Sequence, residues 1–271
     1  MSRTIRIGRR RHAVPARQRT SRSQRRSRTS PRTVLAAGIT VLIVTVMAGC
    51  TAQPVAQSET VPAPTTTATT TAAALPLLKD QPPTALLAPG GYVVSPSDAP
   101  YSAPVAPVLE VPEGYITRDG AGVWADNGDE VGNSGVWVWD VRSVYTHPCD
   151  ASGYPDAVGP SVTDLASALA AQPMREGTRP VPVTIGGYDG LYVELFTPDD
   201  LDFATCREGY FHSWPGRSDR APGSMDLLWI VEVEGQRFTF DLTYPATATP
   251  DQVEELKEIV TTATFTRREG T

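Results

Sequence analysis

The feature that most restricts how this chain can fold is an abrupt change of composition near Val108. Residues 50–107 are dominated by Thr, Ala and Pro and include the run TTTATTT. Such a segment buries too little apolar surface to offset the chain entropy that folding removes, so we expect a disordered tether. After Val108, apolar residues recur with the periods of strands and helices, which confines the folded domain to residues 108–271.

The distribution of charged residues also differs between the N-terminal segment and the rest of the chain. Residues 1–49 contain 12 of the 24 basic residues, all of them arginine, and no Asp or Glu. The remainder therefore carries 12 basic against 30 acidic residues, a balance that disfavours polyanions as partners of the folded part. The arginine segment precedes an apolar run and has no interleaved aromatic residues, so we expect no nucleic-acid partner.

The apolar run at 33–49, TVLAAGITVLIVTVMAG, ends in Met47, Ala48 and Gly49 just before Cys50. A basic segment, an apolar segment and small residues before a cleavage point are the parts of a secretory signal. With the following cysteine they resemble a bacterial lipobox, although Met47 stands where Leu, Val or Ile is usual. The resemblance implies a signal peptide over 1–49 and a diacylated, palmitate-bearing thiol at Cys50.

Two alternatives to lipid attachment remain open from the sequence, namely a retained transmembrane helix and ordinary secretion. All three place the rest of the chain outside the cytoplasm, because a flank of arginines stays on the inner side. We therefore expect a protein on the extracytoplasmic face of the cell membrane, anchored by its lipid.

Two helices are predicted in residues 108–271. Ser161, with Asp164 three positions later, is typical of a capping box and opens a helix over 161–172. Thr249 followed by Pro250 starts the second helix, with a cap residue and then the residue favoured at the first helical position.

Strand patterns account for most of the other residues in this region. Apolar residues on both faces of 135–145 indicate an interior strand. Residues 226–233 and 237–244 predict a hairpin across Glu234 and Gly235. Its second arm alternates strictly, which predicts one inward set and one outward set: Phe238, Phe240, Leu242 and Tyr244 inward, and Arg237, Thr239, Asp241 and Thr243 outward. Further strands are predicted at 181–185, 191–196, 210–214 and 264–266.

The order of these elements predicts an α+β domain with a mixed, mainly antiparallel sheet covered by two helices. The segments GGYDGLY at 186–192, LDFATC at 201–206 and LWIVEVEGQR at 228–237 resemble a group of actinobacterial exported lipoproteins that has no assigned activity. The order of elements also resembles the PsbP-like sandwich that LpqN-type lipoproteins share. That resemblance implies a fold and assigns no catalytic residue.

Once Cys50 is assigned to lipid, Cys149 and Cys206 remain as an even pair. In an oxidising compartment such a pair predicts a disulfide. A metal site made of His147, Cys149 and His212 is the alternative, but the spacing lacks the short motifs of zinc proteins. We therefore expect neither a metal nor a cofactor.

Residues 210–223 are the best candidate for a binding region. Trp214 lies among His212, Arg217, Gly and Pro, and we expect it to be an exposed ligand contact on a loop. No G-x-S-x-G motif occurs, and neighbouring His212 and Ser213 would point to opposite faces of a strand. The sequence thus favours a non-catalytic domain that binds a small molecule or an envelope protein. An exported hydrolase or metal-dependent enzyme, and a sensor acting with a membrane partner, are the alternatives.

Overall fold

The computed structural model describes residues 74–97, 104–126, 134–150, 153–219 and 222–268. The predicted signal peptide and Cys50 lie outside these ranges. Residues before the boundary predicted at Val108 also belong to the fold, with a 3-10 turn at Leu78–Asp80 and a strand at Gly90–Val93. The apolar side chains of Leu78, Leu87 and Tyr92 are buried there, which explains why this end of the predicted tether is ordered.

The described ranges contain two helices, α1 at Val162–Ala170 and α2 at Pro250–Thr261. Both predicted starts are confirmed, because Ser161 and Thr249 form capping boxes with Asp164 and Gln252. The strands in these ranges are β1 Gly90–Val93, β2 Val105–Val111, β3 Tyr115–Ile116, β4 Gly122–Ala125, β5 Gly135–Trp139, β6 Ser143–Val144, β7 Asp156–Ala157, β8 Glu176–Gly177, β9 Val181–Ile185, β10 Tyr188–Phe196, β11 Phe211–Trp214, β12 Arg217–Asp219, β13 Met225–Val233, β14 Gln236–Tyr244 and β15 Thr264–Arg267.

Seven of the eight strands of the main sheet follow the order β3-β4-β5-β14-β13-β10-β8. The eighth strand, β9, pairs with β10. A second sheet has the order β1-β2-β15, and β6–β7 and β11–β12 are two-stranded pairs. Every ladder between these strands is antiparallel, so the domain is an α+β fold built on antiparallel sheets. The predicted hairpin between β13 and β14 is confirmed, and its turn residues Glu234 and Gly235 both have positive φ.

Both faces of the main sheet carry buried side chains. On one face, Trp229 and Phe240 pack with Leu256 and Ile259 of α2 and with side chains of β2. On the other face, Leu228 and Ile230 pack with side chains of α1 and with Trp214.

The prediction that alternate residues of β14 face outward is wrong. Thr239 and Asp241 are fully buried, and Arg237 and Thr243 nearly so. The alternation itself is correct, but the face that was assigned to solvent is covered by α1 and the β11–β12 hairpin.

Candidate functional site

The predicted binding region folds as the β11–β12 hairpin rather than as an open loop. Trp214 is 1% exposed, and its ring packs edge-on against Trp139 with centroids 5.8 Å apart. The expectation that Trp214 is exposed is therefore wrong, because the hairpin lies against the sheet beside α1 and Trp214 completes the core there. A ligand contact through this residue remains a prediction.

Arg217, the second predicted contact, points inward as well. Its guanidinium is 2.6 Å from Asp226 Oδ1 and donates through Nε to Asp241 Oδ2 at 3.1 Å. Arg175, from the segment after α1, reaches the other oxygen of Asp226 at 2.5 Å. These four residues, Arg175, Arg217, Asp226 and Asp241, form what we call the buried charge cluster. It fastens the hairpin and the segment after α1 to strands β13 and β14.

The pKa values of the two carboxylates of the cluster are shifted in opposite directions. Burial disfavours the charged form of Asp226, but Arg217 and Arg175 outweigh it and hold its pKa at about 2. Burial, and then the charge of Asp226, raise the pKa of Asp241 to about 7 against the opposing effect of Arg217. Asp241 Oδ2 accepts from Trp139 Nε1 at 3.2 Å, whereas Oδ1 is buried with no hydrogen-bond partner among the described residues.

Three members of this cluster were not predicted from the sequence: Arg175, Asp226 and Asp241. One signal was available, since Asp is depleted in strands and both aspartates interrupt apolar strand patterns. A buried charge must find a partner, so an aspartate with apolar neighbours on both sides predicts a buried ion pair.

His212, the third predicted contact, is half-buried and faces the opposite way from Phe211 and Ser213, which are buried. Its ring lies between two tyrosines, with centroids 5.9 Å from Tyr145 and 6.2 Å from Tyr210. The three rings form a partly exposed aromatic row at the edge of the hairpin.

Two further aromatic side chains lie on the chain between β6 and β7. His147 is exposed and accompanies Tyr145 on the segment that follows β6. Tyr154, at 100% exposure, lies on the loop between β6 and β7. The pairing of β6 with β7 holds the two ends of that loop together. We call Tyr145, His147, Tyr154, Tyr210 and His212 the histidine–tyrosine surface.

The loops that carry this surface are held firmly. The predicted disulfide between Cys149 and Cys206 is present. On either side of it, the Arg207 N–H donates to the Cys149 carbonyl at 2.7 Å, and the His212 N–H donates to the Pro148 carbonyl at 2.8 Å. The Thr146 hydroxyl also donates to Asp156 at 2.6 Å. These bonds join the segments that carry Tyr145, Tyr210 and His212.

The disulfide also bears on the alternative metal site. Because the sulfur of Cys149 is bonded to Cys206, it supplies no thiolate to a set with His147 and His212. No group of three His, Cys, Asp or Glu side chains in the described ranges has metal-site geometry. Within the same ranges, no helix has the length and apolar character needed to span a membrane.

No protein-family model matches the chain, and no curated protein matches it. Solved structures similar to it include LpqN of Mycobacterium tuberculosis, described as involved in cell envelope biogenesis. That match has 11% identity and a TM-score of 0.35, and covers 65% of this chain and 90% of LpqN. The cyanobacterial PsbP of Synechocystis matches with 18% identity and a TM-score of 0.29, over 60% of this chain and 86% of its own. A Bacteroides thetaiotaomicron protein matches with 13% identity and a TM-score of 0.29, over 60% of this chain but only 45% of its own.

Proposed function

We propose that this protein is a lipoprotein of the cell envelope whose folded domain binds a partner through the histidine–tyrosine surface. The lipid on Cys50 anchors it to the extracytoplasmic face of the cell membrane. The Thr/Ala/Pro-rich segment that follows Cys50 is the tether between the lipid and the domain.

The observation that supports the location is the order of segments before the domain. Twelve arginines, an apolar run and two small residues lead directly to Cys50. The arginine flank keeps the N-terminus inside the cell and the remainder outside. A disulfide between Cys149 and Cys206 fits an oxidising compartment.

The observation that carries the binding function is the construction of the histidine–tyrosine surface. Tyrosine side chains combine a large apolar area with a polar tip and lose little conformational entropy on binding, so they are frequent in recognition surfaces. Here Tyr145, Tyr154 and Tyr210 are at least partly exposed on loops that a disulfide and backbone hydrogen bonds hold in place. Rigid presentation reduces the ordering cost of binding.

Site-specific photo-crosslinking in intact cells tests this proposal. A photoreactive phenylalanine analogue replaces Tyr154 in the full chain. The matched control places it at Leu86, which is also exposed and which precedes Leu87 of the core cluster on the α2 face. A discrete crosslinked species from position 154 that is absent from position 86 supports the proposal. The same pattern at both positions, or none at position 154, contradicts it.

Substitutions at His212, combined with the probe at position 154, test the aromatic row itself. Phe at His212 keeps an aromatic ring between Tyr145 and Tyr210 but removes both ring nitrogens, whereas Ala removes the ring. If the surface recognises its partner through the aromatic row, His212→Ala reduces the crosslink from position 154 much more than His212→Phe does.

A further inference from the structure

The connection between β10 and β11, residues 198–209, contributes little to the core of the domain. It contains two short 3-10 turns, at Phe203–Thr205 and Arg207–Gly209. The structure describes the whole connection, and Cys206 is its one buried residue. None of its side chains belongs to the core clusters or packs against them. Apolar packing therefore does little to hold this connection against the domain.

Among the described residues, two bonds join the connection to the chain around Cys149. One is the disulfide from Cys206. The other is the 2.7 Å hydrogen bond that the Arg207 N–H donates to the Cys149 carbonyl. The hydrogen bonds within the connection join residues at most three positions apart, such as Asp202 and Thr205. Those bonds fix local turns but do not fix where the connection lies on the domain.

The disulfide is the stronger of the two attachments. A backbone hydrogen bond exchanges with water at a small net cost, so alone it favours the closed connection by about tenfold or less. Ordering the connection removes conformational entropy at every residue. Segments with few buried apolar contacts are the parts of a folded protein that open most readily. Loss of the disulfide therefore shifts this connection towards the open state before it affects the core.

We propose that the Cys149–Cys206 disulfide is a site of thiol–disulfide exchange, and that its reduction releases residues 198–209 while the rest of the domain stays folded. The partner in this reaction is an exported protein with a reactive pair of thiols. Cys149 is partly exposed and Cys206 is buried, so the entering thiolate reaches the sulfur of Cys149 first.

The exchange proceeds in two steps that balance. A thiolate of the partner attacks the Cys149 sulfur, the S–S bond breaks, and Cys206 leaves as a thiolate that takes up a proton. The second thiolate of the partner then attacks the mixed disulfide, and Cys149 leaves and takes up a proton. This chain gains two electrons and two protons as two thiols, and the partner is oxidised to a disulfide.

Release of the connection changes one ring of the histidine–tyrosine surface more than the others. Tyr210 directly follows the connection, and its ring centroid lies 6.2 Å from that of His212. Tyr145 is held to the hairpin separately, because its N–H donates to the Ser213 carbonyl at 3.0 Å. Reduction is therefore expected to loosen Tyr210 and to leave Tyr145 beside His212. This consequence rests on the proposed function, since it makes partner binding depend on the redox state.

NMR spectra of the full chain labelled with 15N test the release itself, without a partner, and dithiothreitol serves as the dithiol. On reduction, the amide signals of residues 199–209 are expected to move to the positions of an unfolded chain, whereas those of β13 and β14 keep their dispersion. Unchanged signals from residues 199–209 would mean that the disulfide does not hold the connection. Collapse of the whole spectrum would mean that the core does not survive reduction. Either result overturns the proposal.

Two variants separate the disulfide from the hydrogen bond beside it. Replacement of both cysteines by serine is expected to give the released spectrum without dithiothreitol. Arg207→Pro is the matched control, because it removes the N–H that bonds to Cys149 and keeps the disulfide. Cys206 has φ −83° and ψ 151°, a conformation that readily precedes proline. The oxidised Arg207→Pro protein is expected to keep residues 199–209 ordered; their release in this variant would assign the attachment to the hydrogen bond and overturn the proposal.

The direction of attack is tested with glutathione, which has a single thiol. Brief reaction, alkylation of the freed thiol and mass mapping of the peptides are expected to place glutathione on Cys149 and the alkyl group on Cys206. The reverse assignment contradicts the order of the two steps.

Photo-crosslinking separates this inference from the proposed function. The probe at position 154 is introduced into the otherwise unchanged chain and into the chain with both cysteines replaced by serine. A crosslink that weakens in the serine variant supports redox control of binding, and equal crosslinks from both chains overturn it. A crosslink absent from both chains contradicts the proposed function, whereas the release of residues 198–209 is decided by the NMR spectra alone.

Discussion

Asp241 makes the stability of this domain depend on pH in a direction that is unusual for an aspartate. Its pKa is about 7 in the folded protein, against about 4 in an unfolded chain. A raised pKa means that the folded state holds a proton that the unfolded state has released. The free energy of unfolding therefore decreases as the pH rises from about 4 to 7, and the loss is complete above that range.

The size of the effect follows from the difference between the two pKa values. At about 1.4 kcal/mol per unit, a shift of about three units corresponds to a loss on the order of 4 kcal/mol. Asp226 affects the free energy of unfolding over a different pH range, because its pKa is lowered to about 2. Its contribution is present above about pH 4 and is lost as the pH falls towards 2. Measurements between pH 5 and pH 8 therefore follow the ionisation of Asp241 rather than that of Asp226.

Asp241→Asn tests this reasoning, because an amide resembles the protonated carboxyl group. Because the unfolded carboxyl group already ionises above about pH 4, the variant is expected to exceed the wild type by only about 1 kcal/mol at pH 5. At pH 8 the variant is expected to exceed the wild type by about 2–4 kcal/mol, since it does not lose a proton from a buried site. Urea unfolding of the full chain, followed by tryptophan fluorescence, measures the difference.

The control is Asp200→Asn, which removes an exposed carboxylate and is expected to follow the wild type at every pH. Parallel curves for the wild type and Asp241→Asn between pH 5 and pH 8 would refute the reasoning. They would mean that Arg217 and Trp139 satisfy the charged carboxylate despite its burial.

Three further predictions concern the core, the disulfide and the anchor. Trp214→Ala is expected to destabilise the domain by about 3–5 kcal/mol, because the ring is buried; an unchanged melting temperature would show that it is not packed as described. Replacing Cys149 and Cys206 by serine is expected to cost about 4 kcal/mol for a loop of 57 residues, measured as a shift in the urea midpoint. Cys50→Ser is expected to release the protein from membranes or leave its precursor uncleaved, and membrane retention of a fully processed variant would contradict lipid attachment.

Local signals in the sequence predicted much of this fold. The caps at Ser161 and Thr249 and the turn at Glu234 and Gly235 depend on interactions within a few residues, so their positions follow from the sequence alone. The disulfide was also predictable, because only one pair of cysteines remains once Cys50 is assigned to lipid.

Local patterns in the sequence could not predict that the second face of the main sheet is buried. A period of two shows which residues of β14 share a face, but it does not show whether a distant segment covers that face. Asp241 and Trp214 are buried because the β11–β12 hairpin returns to the sheet, and this contact joins residues far apart in sequence. For the same reason the partners of Arg217 could not be identified from the sequence.

A strongly shifted pKa often marks a catalytic group, and Asp241 is therefore the residue that an enzymatic function would have to use first. A general acid or base must come within hydrogen-bond distance of the substrate. Asp241 is 0% exposed, and the Arg217 side chain and Trp139 contact its carboxylate from the hairpin and from β5. Its shifted pKa thus has a structural origin, in the burial of two aspartates beside each other under the hairpin. The same hairpin turns His212 towards Tyr145 and Tyr210, so the charge cluster holds the base of the histidine–tyrosine surface in place.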